Sequence, residues 1–294
     1  MNTYWSDLIQ TSEELYQSRA LRFRRDNMDR WVDAIGLRNG MKVLEVGCAG
    51  GLLCHRIKEQ LPGCDVTGLD FDLGHIAYAK QKTQELGLDC AFVAGDAQAL
   101  PFEDESFDLC CSHTVISFCE PSAFVAEQHR VLKTGGRIVI MGVYRPVNPE
   151  EWIPTENCPE EPLFSKVWEA ASQNPAGEIK RYENDPRQYF DYLRRQGFSY
   201  LSIDAMAAVK YAPDCDNVSD ELALAQINED RLSELESAAK AIRLAPHALT
   251  ESQQQELIRL INERWDKRVQ QYRAGEKTWD FRISTVWIIS GIKV

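Results

Sequence analysis

Residues 43–51 read Val-Leu-Glu-Val-Gly-Cys-Ala-Gly-Gly, an apolar strand broken by one carboxylate, Glu45, and then a bend of small residues. Small residues let a backbone approach a ligand closely. A carboxylate beside such a bend favours a ligand that carries positive charge. A pyrophosphate bend of the G-x-G-x-x-G kind would need glycine at 49 and 52, where the chain has Ala49 and Leu52. Two more acids close later apolar runs: Asp70 in Gly-Leu-Asp-Phe-Asp, and Asp96 in Ala-Gly-Asp-Ala. His113 directly follows Phe-Asp-Leu-Cys-Cys-Ser. With an ordinary pKa of about 6.5 it suits a general base, and its plain alternative is a histidine that only shapes the site.

The elements that would position these residues follow from periodicity. Residues 5–35 carry loosely helical spacing. From residue 41, short apolar runs (MKVLEV, DVTGLDF, CAFVAGD, FDLCCS, RIVIMGV) alternate with helical stretches, so a parallel sheet covered by helices is expected. Residues 144–183, rich in proline, read as a partly helical insertion with Trp152, Phe164 and Trp168 as apolar wall. A helix over 185–197 and a strand within 198–211 follow. Residues 217–275 read as two helices, the first capped by Asn217 or Ser219 and the second by a Thr250–Gln253 capping box. The last run, Phe-Arg-Ile-Ser-Thr-Val-Trp-Ile-Ile-Ser-Gly-Ile-Lys-Val, reads as a strand. A parallel sheet of this kind binds ligands beyond the carboxyl ends of its strands, where the bend, Asp70, Asp96 and His113 all fall.

Glu45-Val46-Gly47-Cys48-Ala49-Gly50-Gly51 resembles the [D/E]-x-G-x-G-x-G signature of class I S-adenosylmethionine-dependent methyltransferases, with Ala49 in place of the middle glycine. Asp70 resembles the family's ribose-binding acid. The segment 94–115 resembles its third-to-fourth strand segment, and Arg-Val-Leu-Lys-Thr-Gly-Gly-Arg-Ile-Val-Ile (130–140) its helix, glycine pair and strand. The likeness covers about residues 40–143 and is closest to the ubiquinone/menaquinone-biosynthesis-like group, the type 11 methyltransferase domain. It implies S-adenosyl-L-methionine as cofactor and S-adenosyl-L-homocysteine as product. The implied cofactor-binding residues are Glu45, Gly47, Cys48, Ala49, Gly51, Asp70, Phe71, Asp96, Ala97 and Ser112. His113 is the candidate base, and Tyr16, Trp152 and Trp168 are substrate candidates.

The implied fold is α/β: a Rossmann-like, seven-stranded, mostly parallel sheet flanked by helices. One methyltransferase domain over 1–294 is expected. It has an N-terminal helical cap (1–38), a cofactor-binding core (39–143) and a substrate-cover insertion (144–184). A helix and strand of the core (185–211), a helical insertion (212–276) and the last strand (277–294) complete it.

Bulk properties bound the partners. The 294 residues carry a formal charge of −12, which argues against a broad nucleic-acid surface. The sequence after the fourth strand, Ser112-His113-Thr114-Val115, holds no Asn-Pro-Pro-Tyr-like motif, against methylation of base amino groups in the usual way. The basic stretch Leu-Arg-Phe-Arg-Arg-Asp-Asn-Met-Asp-Arg (21–30) reads as a solvated helix face, and His55 and His129 read as surface residues. Nine cysteines, without C-x-x-C and without a secretory signal, read as reduced thiols in a cytoplasmic protein, and no metal site is expected. Cys119 as a thiolate ligand for a metalloid carries little weight. No membrane span is expected. The function expected is methyl transfer to a small-molecule acceptor by in-line displacement, with a homodimer left open. The alternative is a non-catalytic S-adenosylmethionine-binding module acting through a protein partner.

Overall fold

The computed structural model describes residues 11–142, 151–153, 158–173 and 185–294. By compactness the chain divides into two units. The first comprises Met1–Pro149, Lys180–Ala208 and Thr285–Val294, and the second Glu150–Ile179 and Val209–Ser284.

In the first unit, β1 (Lys42–Val46), β2 (Asp65–Asp70), β3 (Cys90–Ala94), β4 (Phe107–His113) and β5 (Leu132–Gly142) are parallel. The strand order is β3-β2-β1-β4-β5, continued by β8 (Phe281–Lys293), which is antiparallel to β5 and also pairs with β7 (Phe198–Tyr211). These are the seven expected strands. Among the described residues an eighth, the short β6 (Glu151–Ile153), pairs with Phe281–Ile283 within the second unit. The chain runs from β1 outward through β2 and β3, then returns to β4 on the other side of β1. That reversal places the switch point beyond Val46 and Ser112, which are register partners.

Period-2 alternation sends successive side chains to opposite faces of the sheet. Val43, Val66, Leu109, Cys111, Val139 and Met141 join one core cluster; Leu44, Val46, Cys110, Ile138 and Ile140 join another. The vicinal thiols Cys110 and Cys111 are thus packing residues on opposite faces, and all nine cysteines are free. On the first face lie α1 (Ser12–Ala20), α2 (Met28–Ile35), α3 (Leu52–Gln60) and α4 (Leu73–Leu86), whose Tyr16, Trp31, Leu53, Ile57 and Ile76 enter the cluster. Phe124 and Val125 of α5 (Pro121–Val131) and Tyr189 and Leu193 of α7 (Pro186–Arg195) fill the other. The glycine pair expected to close α5 instead lies within β5. The helix stops at Val131, and Gly135, at φ +80°, belongs to a register shift against β4 between Phe107 and Leu109.

The second unit packs α6 (Glu161–Ser172), α8 (Asp220–Leu244) and α9 (Glu251–Arg273) around Val167, Ile227, Ala241, Leu257, Ile261 and Trp265. Ser219 caps α8, and the Thr250–Gln253 capping box forms in both directions. Arg268 is buried on α9 and donates to Asp214 and Asp280. Among the described residues no helix is long and apolar enough to cross a membrane.

Candidate active site

The bend after β1 is held by its neighbours on β2. The amides of Gly47 and Cys48 both donate to the carbonyl of Leu69, at 2.7 and 2.9 Å. The next amide, Ala49, donates to Asp70 Oδ2 at 2.7 Å, and Asp72 N donates to Asp70 Oδ1 at 2.9 Å. Gly47, Ala49 and Gly51 all have positive φ (+75°, +47° and +82°). The two glycines are demanded twice over. A Cβ on Gly47 would come within 2.3 Å of Val115 Cγ2, and one on Gly51 within 2.7 Å of the Phe92 ring. Burial pushes the Asp70 carboxyl up, and the amide donors of Asp72 and Ala49 oppose it. A carboxylate offers about four lone-pair sites, so two accepted amides leave room for further donors.

Glu45 lies on the α3 face of β1, buried, with Oε2 accepting from Cys54 N at 3.1 Å and from the Cys54 thiol at 2.9 Å. Burial pushes its carboxyl up to about 7; the two Cys54 donors oppose, the Asp70 carboxylate adds to the rise and Arg19 opposes. Asp96, beyond β3, accepts from Gln98 N at 2.8 Å, while Ala97 packs partly buried against the second core cluster. Phe71, beside Asp70, is 53% exposed. Ser112 is fully buried in β4, and its hydroxyl has no hydrogen-bond partner among the described residues.

α1 lies against this bend. Ser12 Oγ is 2.8 Å from His75 Nδ1, and the Ser12 carbonyl lies 3.2 Å from where a Gly50 Cβ would stand. Tyr16, a substrate candidate from sequence, is buried and bonds His55 Nδ1 at 3.2 Å. His55, expected at the surface, is fully buried; its Nε2 meets Thr83 Oγ1 at 2.7 Å, and Thr83 in turn donates to the Ala79 carbonyl. The Thr83 proton is therefore spent, Nε2 must donate, and Nδ1 accepts from the tyrosine hydroxyl. Burial lowers the His55 pKa to about 4, so the ring is neutral at pH 7.

His113 is buried with Nε2 3.1 Å from Arg22 Nη1 and its ring edge-on to Phe23 at 5.3 Å. A guanidinium can only donate, so this contact assigns Nε2 as acceptor. Arg19 Nη2 donates to Thr114 Oγ1 at 2.8 Å. Neither arginine was singled out from sequence. Arg22 belongs to the stretch read as solvated, yet it is buried, while Arg25 of the same stretch is exposed and paired with Glu59. Trp168 is in the second unit, 41% exposed and stacked on Phe164. Trp152 belongs to β6, and its side chain lies outside the described part. The first unit thus brings together Glu45, the bend, Asp70, Ser112 and His113.

Residues 44–140 match the family model described as a methyltransferase domain. Residues 44–140 are thus a methyltransferase domain. That methyltransferase domain is 36% identical over 131 residues to a demethylmenaquinone methyltransferase of Renibacterium salmoninarum, covering 44% of this chain and 51% of that protein. It is 40% identical over 117 residues to phthiotriol/phenolphthiotriol dimycocerosates methyltransferase 1 of Mycobacterium ulcerans, covering 39% and 42%. The chain spans about half the length of the curated relatives it matches. In fold it is similar to a Haemonchus contortus phosphoethanolamine N-methyltransferase 2, with a TM-score of 0.54 at 15% identity over 99% of this chain and 59% of that one. The methyltransferase domain accounts for β1 through β5, and all the residues of the bend lie within it.

Proposed function

We propose that this chain transfers the methyl group of S-adenosyl-L-methionine to a small-molecule acceptor by in-line displacement, leaving S-adenosyl-L-homocysteine. The carrying observation is the Asp70 carboxylate bonded across to Ala49 N in the bend of a methyltransferase domain. Bound there, the cofactor supplies a methyl group activated by a sulfonium. The leaving group is a neutral thioether, so the chain's main contribution is positioning.

The residues fit such a cofactor. The remaining lone pairs of Asp70 suit two ribose hydroxyls, and the bend gives close backbone approach at Gly47, Cys48, Ala49 and Gly51. In this reading the half-exposed Phe71, with Asp96 and Ala97, receives the adenine. Glu45 answers the ammonium of the amino-acid end, and the unpartnered Ser112 hydroxyl faces the ligand. His113 stands as the base for an acceptor that must lose a proton, once the Arg22 donor leaves Nε2. Tyr16 serves by fixing α1 over the bend. Trp152 and Trp168 remain substrate candidates of the second unit.

The relatives are named for demethylmenaquinone and for phthiotriol and phenolphthiotriol dimycocerosates, which supports a small-molecule acceptor. The charge of −12 supports the same choice over a nucleic acid. A cytoplasmic location, and homodimerisation as the open question of assembly, belong to this reading. The test is binding followed by turnover. S-adenosylhomocysteine should raise the thermal midpoint and NAD(P) should not; labelled methyl should then pass to one of a panel of quinol, phenol and lipid acceptors. Stabilisation by NAD(P) alone would sink the proposal. Binding without transfer to any acceptor would favour the non-catalytic module.

A further inference from the structure

α1 and the turn after it bring two guanidiniums to the carboxyl end of β4. Arg19 sits in the last turn of α1 and reaches the Thr114 hydroxyl at 2.8 Å. Thr114 spends its own proton on the His113 carbonyl at 2.7 Å, so its contact with Arg19 is that of a neutral acceptor. Among the described residues, no carboxylate lies within ion-pair distance of Arg19. A half-buried guanidinium bonded to a neutral hydroxyl keeps further donors that an anion can take up. Burial brings the Arg19 guanidinium down to about 9, the neighbouring Arg22 pushes the same way, and Glu45 opposes.

The groups that face Arg19 narrow the anion. Arg22 repels the Arg19 guanidinium, and Glu45 attracts that guanidinium from the foot of the bend. Glu45 and Arg19 therefore form an acid and a base at one end of a single site. A zwitterionic amino acid presents both complements, an ammonium and a carboxylate, on one carbon. α1 also crosses the bend itself: Ser12 and Tyr16 both approach Gly50.

We propose that Arg19 receives the carboxylate at the amino-acid end of the cofactor, so that cofactor binding fastens α1 over the bend. This rests on the reading of the chain as an S-adenosylmethionine-dependent methyltransferase. An anionic acceptor would satisfy the same guanidinium chemistry, and the arms of the test separate the two sources.

The experiment measures binding of S-adenosylhomocysteine and of 5′-deoxy-5′-methylthioadenosine, which lacks the amino-acid end, by calorimetry on the full chain. The proteins are the wild type, Arg19→Met and Arg19→Lys. The expected result is a loss of about tenfold or more in S-adenosylhomocysteine affinity in Arg19→Met. Methylthioadenosine affinity stays unchanged, and Arg19→Lys falls between. Equal losses for both ligands would overturn the proposal, since Arg19 would then act only on the seating of α1. No loss for either would overturn it in favour of an acceptor anion. A wild type that binds neither nucleoside would overturn the underlying functional reading, and this inference with it. Should Arg19→Met fail to fold, hydrogen exchange on the wild type decides the matter. S-adenosylhomocysteine must protect the amides of residues 12–20 more than saturating methylthioadenosine does, and equal protection would overturn the proposal.

Discussion

The Asp70 carboxylate at the end of β2 accepts the amide proton of Ala49 at 2.7 Å, across a sequence gap of 21 residues. It ties the bend after β1 to the end of the neighbouring strand. The same carboxylate takes the Asp72 amide with its other oxygen. The residue proposed to receive the ribose is thus also what holds the bend in shape.

Asp70→Asn separates these duties. An amide accepts through one atom only, so one of the two N–H groups would face an NH2. The expected cost is about 1–3 kcal/mol in a denaturant titration. Affinity for S-adenosylhomocysteine and for methylthioadenosine should fall together, because both carry the ribose. A variant of wild-type stability, or a loss confined to one ligand, would contradict the role.

Ala49 sits at φ +47°, a left-handed conformation that costs a residue with a Cβ about 1–2 kcal/mol. Glycine at 49 would remove that strain, and would give back about 0.4–1 kcal/mol through the freer unfolded chain. Ala49→Gly should therefore be neutral or stabilising by up to about 1 kcal/mol, and Ala49→Val clearly destabilising. Urea midpoints of the two variants check the order.

Much of this site was legible because its signals are local. Alternation in Lys42–Val46 and Phe107–His113, and the small residues after Val46, mark strands and a bend without any knowledge of what packs on them. Arg19, Arg22 and His55 were not legible. Charge on an amphipathic stretch ordinarily means water, and only the seating of α1 against α3 and the end of β4 turns these residues inward. Gly135 and Gly136 read as a helix stop because a bulge inside a strand uses the same residues. The three-residue strand Glu151–Ile153 is too short to carry a period of its own.

Glu45 makes stability depend on pH. Its folded pKa of about 7 lies above the ordinary 4.5, so the folded state holds a proton that the unfolded state has released. The contribution is complete below pH 4.5 and is lost as pH rises through about 7. At full size it amounts to about 3 kcal/mol. Glu45→Gln should flatten that part of the stability–pH curve while keeping an acceptor for Cys54. Binding of a ligand ammonium should expel the proton, so calorimetry near pH 7 in buffers of different ionisation heat should show release in the wild type and none in the variant.

Arg268 gives the second unit a comparable test. Its guanidinium donates to Asp214 at 2.7 Å and Asp280 at 2.9 Å, and all three groups are buried. Burial would raise the Asp214 carboxyl, but the Arg268 bond and the Trp279 amide outweigh it and hold the pKa below the ordinary value. Arg268→Met would leave two carboxylates facing one another, at a cost of about 3–5 kcal/mol. In the wild type the Asp214 contribution is lost as pH falls through its lowered pKa. Circular dichroism during thermal unfolding at neutral pH should show a lower midpoint in Arg268→Met, and a midpoint equal to that of the wild type would refute it.

His113 can be tested as base and as anchor at once. Its Nε2 accepts from Arg22, so His113→Ala would remove one acceptor from a buried guanidinium and cost about 1–3 kcal/mol. His113→Gln offers an amide oxygen in nearly the same place and should recover most of that stability. It cannot serve as a base near neutral pH. If the acceptor must lose a proton, turnover in both variants should therefore fall by about 10²–10⁴ while cofactor affinity is kept. A glutamine variant that is both stable and fully active would show that His113 only holds Arg22, and the bound proton would have to leave through the acceptor itself or solvent.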